Sequence, residues 1–322
     1  MRSQRGQTLI MVAVMMLMLL GFVALAVDGG LAYLERRQMR TAADAGALAA
    51  ARELCLGNGE AAALAAGLSY CVTENGADSC DFSLIGSGVG ATAEAVSSVS
   101  VPAFFANVFG VSSFNAGALA RGKCSVLAGS GTLLPMGVHP PGEPTEGMPF
   151  TLYDEEPDPG RGAFGFLNWS GKCGGTPYEV PNCNLKDEVE HPETCSPFVR
   201  AGEGEAGDLV CAEPGNPLGS IRKDLWDLWG GKTVLVPIYN SSEEHTRYHI
   251  IGIGAFTLTG VCIGSGQGKG VWAILDPDDP DWGCEPSEKK VRGAFEDLLS
   301  ASGIPSNDDD TDYGAHIVHL VE

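Results

Sequence analysis

The stretch "QMRTAADAGALAAARELC", Gln38–Cys55, decides how the amino-terminal third of the chain is built. Seven of the ten residues from Ala42 to Ala51 are alanine. Alanine is the strongest helix former because it gives up no side-chain rotamer entropy. The stretch has no proline and reads as helix, yet it offers almost no bulk for an ordinary core. Such a helix suits a place where another backbone must come close, against a thin sheet or against a second copy of itself.

Upstream, "LIMVAVMMLMLLGFVALAV" (Leu9–Val27) runs nineteen residues without a charge. At about 1.5 Å per residue it covers roughly 28 Å, close to the ~30 Å hydrocarbon core of a bilayer. Arg2 and Arg5 precede it and no acid does. The positive-inside rule then keeps residues 1–8 in the cytoplasm and exports everything after Asp28. A cleaved secretory signal is one alternative, with "ALA" at Ala24–Ala26 as its cleavage site. A signal's apolar core is usually only about 7–15 residues, however. A buried core helix is the third reading. Gly29 and Gly30 weaken the junction with the Ala-rich stretch without breaking it. The expectation is one helix from Leu9 to Leu54, about 69 Å long. Leu31, Leu34, Met39, Ala42, Ala45 and Ala49 lie roughly on one stripe of it.

After Cys55, "GNGEAAALAAGLSYC" opens with turn residues and continues as a short helix. "DFSLIG", "ATAEAVSSVSVP" and "SSFNAGALARGKC" read as strands, with a helical aromatic cluster at Phe104, Phe105, Val108 and Phe109 before the last. That order makes residues 28–125 an α+β unit built along a stem. "AGSGTLLP" reads as a hinge, so residues 126–134 form a linker. Residues 135–322 are rich in Gly, Pro and short strands and read as a mainly β domain. "GSIRKDLWDLWGG" is an amphipathic helix, and "VRGAFEDLLSASG" reads as another.

Charge divides the chain as sharply. Residues 1–126 carry net −1 and residues 127–322 carry net −20. An acidic exported half repels nucleic acid and anionic lipid, so neither is expected as its partner. Four of the ten cysteines (Cys55, Cys71, Cys80, Cys124) precede the acidic half, and six (Cys173, Cys183, Cys195, Cys211, Cys262, Cys284) lie in it. There is no C-x-x-C, and an even number in each half reads as disulfides outside the membrane. Pairing is expected within each half, with Cys173–Cys183, Cys195–Cys211 and Cys262–Cys284 as local guesses. Zinc held by Cys173, Cys183, His191 and Cys195 is the sharper alternative, although the spacing fits no tight zinc knuckle.

At "VALAVDGGLAYLERRQMRTAADAGALAAA" the chain resembles the amino-terminal segment of the TadE/TadG-like proteins of the Flp (tight adherence) pilus system. The residues that carry the resemblance are Asp28, Gly29, Tyr33, Arg36, Arg37 and the run Ala42, Ala43, Asp44, Ala45. "VSVPAFFANVFGVSSFNAGALA" is similar to the strand–helix–strand with which that family closes, and parts of the acidic half look like the carboxy-terminal region of TadG-like chains. The resemblance implies a single-pass, extracytoplasmic plasma-membrane protein, a minor-pilin-like or assembly component. Its partners would be other pilus proteins, possible further copies of itself, and the bilayer through residues 9–27. In two respects the chain departs from related patterns. Gly6 is followed at the fifth position by Met11, where a prepilin carries Glu, and no D-x-S-x-S adhesive metal motif occurs.

Chemical motifs fall away on inspection. "CIGSGQGKG" (Cys262–Gly270) lacks the Walker spacing and joins two strand-like runs, so it reads as a hairpin loop. His245 and His249 are four apart but sit at a strand entry. "NDDDTDYG" places Asp308, Asp310 and Asp312 at EF-hand spacing, yet Tyr313 stands where that loop needs Gly and His319 where it needs Glu. A solvated acidic loop is the plainer reading and a weak calcium site the sharper one. No cofactor and no catalytic constellation are expected. The fold class is α+β: a long transmembrane and stem helix, a small pilin-like domain, then a mainly β extracytoplasmic domain. The rival functions are a cell-envelope adhesin or binding protein with no pilus role, which gene neighbourhood would separate, and a secreted hydrolase, for which no nucleophile motif is visible.

Overall fold

The computed structural model describes residues 5–142, 147–153, 162–169, 183–202, 207–212, 218–239, 247–263, 271–274, 289–306 and 311–321. The chain is α+β and divides into two compact units. One runs to Cys124 and takes in the tail from His319; the other is Ser125–Val318.

The first unit is organised by α1 (Arg5–Cys55), a single helix of 51 residues that runs through Gly29 and Gly30 without interruption. Its end is local chemistry: Gly57 turns the chain at φ 68° while its N–H bonds to the Leu54 carbonyl. That left-handed conformation is one glycine adopts freely at a helix C-terminus. A second helix, α2 (Glu60–Leu68), continues into a π-helical turn (Ser69–Glu74). β1 (Ser79–Ile85), β2 (Thr92–Pro102) and β3 (Ser113–Ser130) then pair antiparallel in order. A 3₁₀ turn, Ala106–Phe109, lies at the β2–β3 connection. The disulfides Cys55–Cys124 and Cys71–Cys80 staple this unit.

The 126–134 stretch does not behave as a loose linker. β3 continues to Ser130, and Leu127, Leu133 and Leu134 are buried in the second unit. Its small residues are strand residues: Gly129 pairs with Arg200 and lies against the Phe198 ring. Gly and Ser look like a hinge in sequence because nothing local distinguishes a bare backbone from one that a distant strand pairs.

The second unit adds β4 (Met136–His139), β5 (Phe150–Tyr153), β6 (Gly162–Asn168), α3 (Leu185–Glu190), α4 (Pro192–Cys195), β7 (Val199–Arg200), β8 (Leu209–Ala212), α5 (Leu218–Trp229), β9 (Thr233–Tyr239), β10 (Arg247–Ile263), β11 (Val271–Ile274), β12 (Lys289–Phe295), β13 (Leu298–Ser300), β14 (Ile304–Pro305) and β15 (Ala315–Val321). Ring closure is the main feature. β10 pairs β12, β12 pairs β5, β5 pairs β6, β6 pairs β4, β4 pairs β9, and β9 returns to β10. The ring is closed at β4–β9 by one register pair, Val138 with Ile238. β10 is long enough to pair β8, β9, β11 and β12, and register shifts at Ile250/Gly252 and Leu258/Gly260 accommodate it. Phe164, Phe166, Val236, Ile238, Phe256, Val291 and Phe295 belong to one buried cluster with Ile221 and Leu225 of α5.

One expected helix is not a helix. "VRGAFEDLLSASG" forms β12 and β13. Val291, Ala294, Phe295 and Leu298 mimic a helical period, but Val291 pairs with Val261, and a Cβ on Gly293 would run into the Phe256 ring. Pairing with β10 overrides the local pattern.

Candidate functional site

The Ala-rich stretch owes its composition to a close approach. Ala42, Ala43, Ala47, Ala50, Ala51 and Leu54 of α1 are fully buried. Opposite them, a Cβ at Gly122 of β3 would sit 2.6 Å from the Ala47 carbonyl oxygen and 3.0 Å from the Ala51 Cβ. Strand backbone therefore lies directly on helix backbone, and only small residues on both sides permit it. On α1's other flank, a Cβ at Gly46 would lie 3.0 Å from that of Cys71, and Gly67 of α2 meets the Phe82 ring. Nearer the apolar span, the Ser97 hydroxyl donates to the Met39 carbonyl at 2.7 Å, a buried bond between strand and helix.

The packed side differs from the stripe expected from sequence. Ala45 and Ala49 are only half buried, and Leu31 and Leu34 are 38 % and 60 % exposed. Alanines occupy every side of this helix, so no apolar period singles out one face. The sheet does so instead, by presenting glycines at Ala47 and Ala51. Of the remaining motif residues, Tyr33, Arg36 and Arg37 are exposed, Asp44 is half buried, and Gly29 has open space where a Cβ would stand.

Asp28 is the motif residue with a defined task. It follows the apolar span directly and is 8 % exposed, while Val27 beside it is 39 % exposed. Its carboxylate accepts from three successive backbone N–H groups: Phe104 at 3.0 Å, Phe105 at 3.1 and 3.2 Å, and Ala106 at 2.6 Å. Burial alone pushes its pKa up, but the three donors outweigh that and hold the carboxyl below the ordinary carboxylate range. The acid thus clamps the β2–β3 connection to α1. Sequence reasoning missed these partners because backbone donors carry no residue signature. The clustered Phe104, Phe105, Val108 and Phe109 found by spacing are the residues the clamp carries; the Phe104 and Phe105 rings lie 5.5 Å apart, and Phe104, Val108 and Phe109 are exposed.

Below the apolar-to-polar switch at Asp28, α1 is not covered by any of the described residues. The large apolar side chains from Ile10 to Leu25 are 46–73 % exposed on all sides. This is one helix long and apolar enough to cross a membrane.

In the second unit the local cysteine guesses need correction. Cys183 bonds Cys195, with Cα atoms 5.9 Å apart, so Cys173–Cys183 and Cys195–Cys211 do not form. α3 starts at a capping box right after Cys183: Asn184 accepts from the Lys186 and Asp187 N–H groups while Asp187 accepts from the Asn184 N–H. With both sulfurs in a disulfide, the zinc set built on Cys183 and Cys195 is lost as well. Cys211 and Cys262 are also disulfide-bonded, while Cys173 and Cys284 lie outside the described residues.

The acidic loop is described only at its end, since Asp308 and Asp310 lie outside the described residues. Asp312 accepts from His316 Nε2 at 2.9 and 3.1 Å and from the Gly314 N–H at 2.8 Å. Burial raises its pKa, but the His316 and Gly314 bonds more than offset that, and the carboxyl sits below its usual value. His249 lies in β10, opposite Leu209, as expected of a strand histidine; His245 lies outside the described residues. β10 and β11 on either side of the Gly-rich loop pair antiparallel, which is the hairpin expected there.

Comparison with known proteins points to the same helix. Residues 6–53 match the family model described as putative Flp pilus-assembly TadE/G-like. The match spans nearly all of α1 and stops before α2. No curated protein and no solved structure gives a significant match to the chain. The family domain supports a role related to pilus assembly, with other pilus components as partners, and the apolar span is consistent with membrane anchoring.

Proposed function

We propose that this protein is a single-pass, membrane-anchored component of a Flp/Tad-type pilus system, minor-pilin-like or an assembly factor, that works by protein–protein packing and not by catalysis. Residues 1–8 lie in the cytoplasm, Leu9–Val27 cross the plasma membrane, and everything after Asp28 stands outside it. The observation that carries this reading is the division of labour along α1. Its family-matched helix is bare and apolar below Asp28 and clothed by its own sheet from Met39 upward. A helix exposed on all sides over that length needs lipid or other helices around it. The half-buried Ala45 and Ala49 and the open Gly29 leave room on the remaining faces for a neighbouring stem.

The test is to purify sheared pili and the membrane fraction and to probe both for the protein. Presence in the pilus fraction, or loss of pili when the gene is deleted, supports the reading. A protein confined to the envelope of cells whose pili are unaffected by its deletion is instead an adhesin or binding protein on a pilin-like anchor.

A further inference from the structure

The β2–β3 hairpin descends along α1. Gly122 lies against Ala47, Ser97 bonds to Met39, and Phe104, Phe105 and Ala106 bond to Asp28. Each step is nearer the apolar span, and the last falls one residue beyond Val27. The connection between the two strands is thus the part of the first unit fastened closest to the span. It is also apolar and bare. Phe104, Val108 and Phe109 are 72 %, 83 % and 85 % exposed, and Val111 is exposed beside them. Residues 102–120 contain no charged side chain.

We propose that this connection is a second membrane contact, with Phe104, Val108 and Phe109 entering the headgroup and acyl boundary of the bilayer that α1 crosses. Three arguments favour lipid as the occupant. The Asp28 clamp fixes the patch at the level where the span ends. The exposed face of α1 at this level, Val27 and Leu31, is apolar too, and the patch is continuous in character with the span. Aromatic side chains favour this interface, and an apolar wedge settles about 5–10 Å into it. The clamp also gives the acid three N–H donors at that level, which lowers the cost of drawing it away from water. Two contacts with one bilayer would set the tilt of the first unit on its helix, which a single span does not.

Such a contact requires that α1 cross the bilayer, so the experiment carries a reporter for the span as well. All five native tryptophans lie at or beyond Trp169, giving a constant background. The full chain is reconstituted in phosphatidylcholine–phosphatidylglycerol vesicles as Phe109→Trp, Val108→Trp and, for the span, Phe22→Trp. Emission above the parent is compared in lipids brominated near the ester or near the chain end. The expected result is loss of the Phe109→Trp and Val108→Trp emission with ester-proximal bromine, and of the Phe22→Trp emission with chain-end bromine. Quenching at Phe22→Trp with none at either loop position overturns the second contact and leaves the anchor standing. A photocrosslinker at Val108 that then joins two chains would identify a second copy as the occupant. Quenching at none of the three removes the anchor and the loop contact together.

Discussion

The two units solve the same problem, burying backbone away from water, with opposite materials. The first has little bulk: its helix and hairpin meet through Ala42, Ala43, Ala47, Ala51 and Gly122, backbone nearly on backbone. The second closes a ring of strands around Phe164, Phe166, Phe256, Phe295 and their aliphatic neighbours. A core of large side chains is damaged most by truncation, and one of small side chains by enlargement. The comparison also explains the staples. Cys55–Cys124 ties the end of α1 to β3 across 69 residues, whereas Cys183–Cys195 closes only 12.

Removing material from the ring should have the largest effect. Phe256→Ala is expected to cost about 3–5 kcal/mol, read from denaturant unfolding followed by native tryptophan emission. That emission comes only from the second unit. A loss under 1 kcal/mol would mean that the ring interior is loosely filled. Next is the long staple. On chain-entropy grounds, replacing Cys55 and Cys124 together by serine should cost about 4 kcal/mol, against about 3 for Cys183 with Cys195. Equal costs, measured by the same unfolding with amide exchange reporting the first unit, would remove loop length as the reason. Enlargement within the stem follows: Ala47→Leu or Gly122→Val is expected to cost about 1–3 kcal/mol. The corresponding change at Ala45, half buried, and Arg40→Gln, on the solvated side, should stay within about 0.5 kcal/mol. If Ala45→Leu lowers recovery in pili while leaving stability unchanged, that side of the stem faces a neighbour.

Acid should loosen one point in each unit. Asp28 and Asp312 both have carboxyl pKa values held below ordinary. Their contribution is present above the unfolded carboxylate range, near about 4, and is lost as pH falls through the lowered folded values. Protection at the Phe105 and Ala106 amides, taken against the intrinsic exchange rate at each pH, should therefore fall on acidification, and Asp28→Asn should lower it in the same way at neutral pH. Protection at both amides that ignores pH and the substitution would mean the clamp is not what holds the connection.

The long helix, the hairpin strands and the mainly β second half were legible because each rests on a local pattern: an uncharged run, alternation, or turn residues. The packed face of α1 was not, since alanine at nearly every position hides which side the sheet takes. Pairing also defeated local reading at 126–134 and at 289–300, where distant strands recruit Gly-rich or helix-like segments into a sheet. Asp28 stood out by position, but its task did not, because its partners are backbone N–H groups. The cysteine pairing of the second unit was not legible either, because Cys183 and Cys195 meet across α3 and α4, a juxtaposition that spacing along the chain does not show.

The most direct test of the account is protease protection on intact, wall-stripped cells. Added protease should digest both units and leave a short fragment containing Leu9–Val27 inside the bilayer. Full-length protein that survives until the membrane is broken would contradict the reading of α1 as an anchor that exports everything after Asp28.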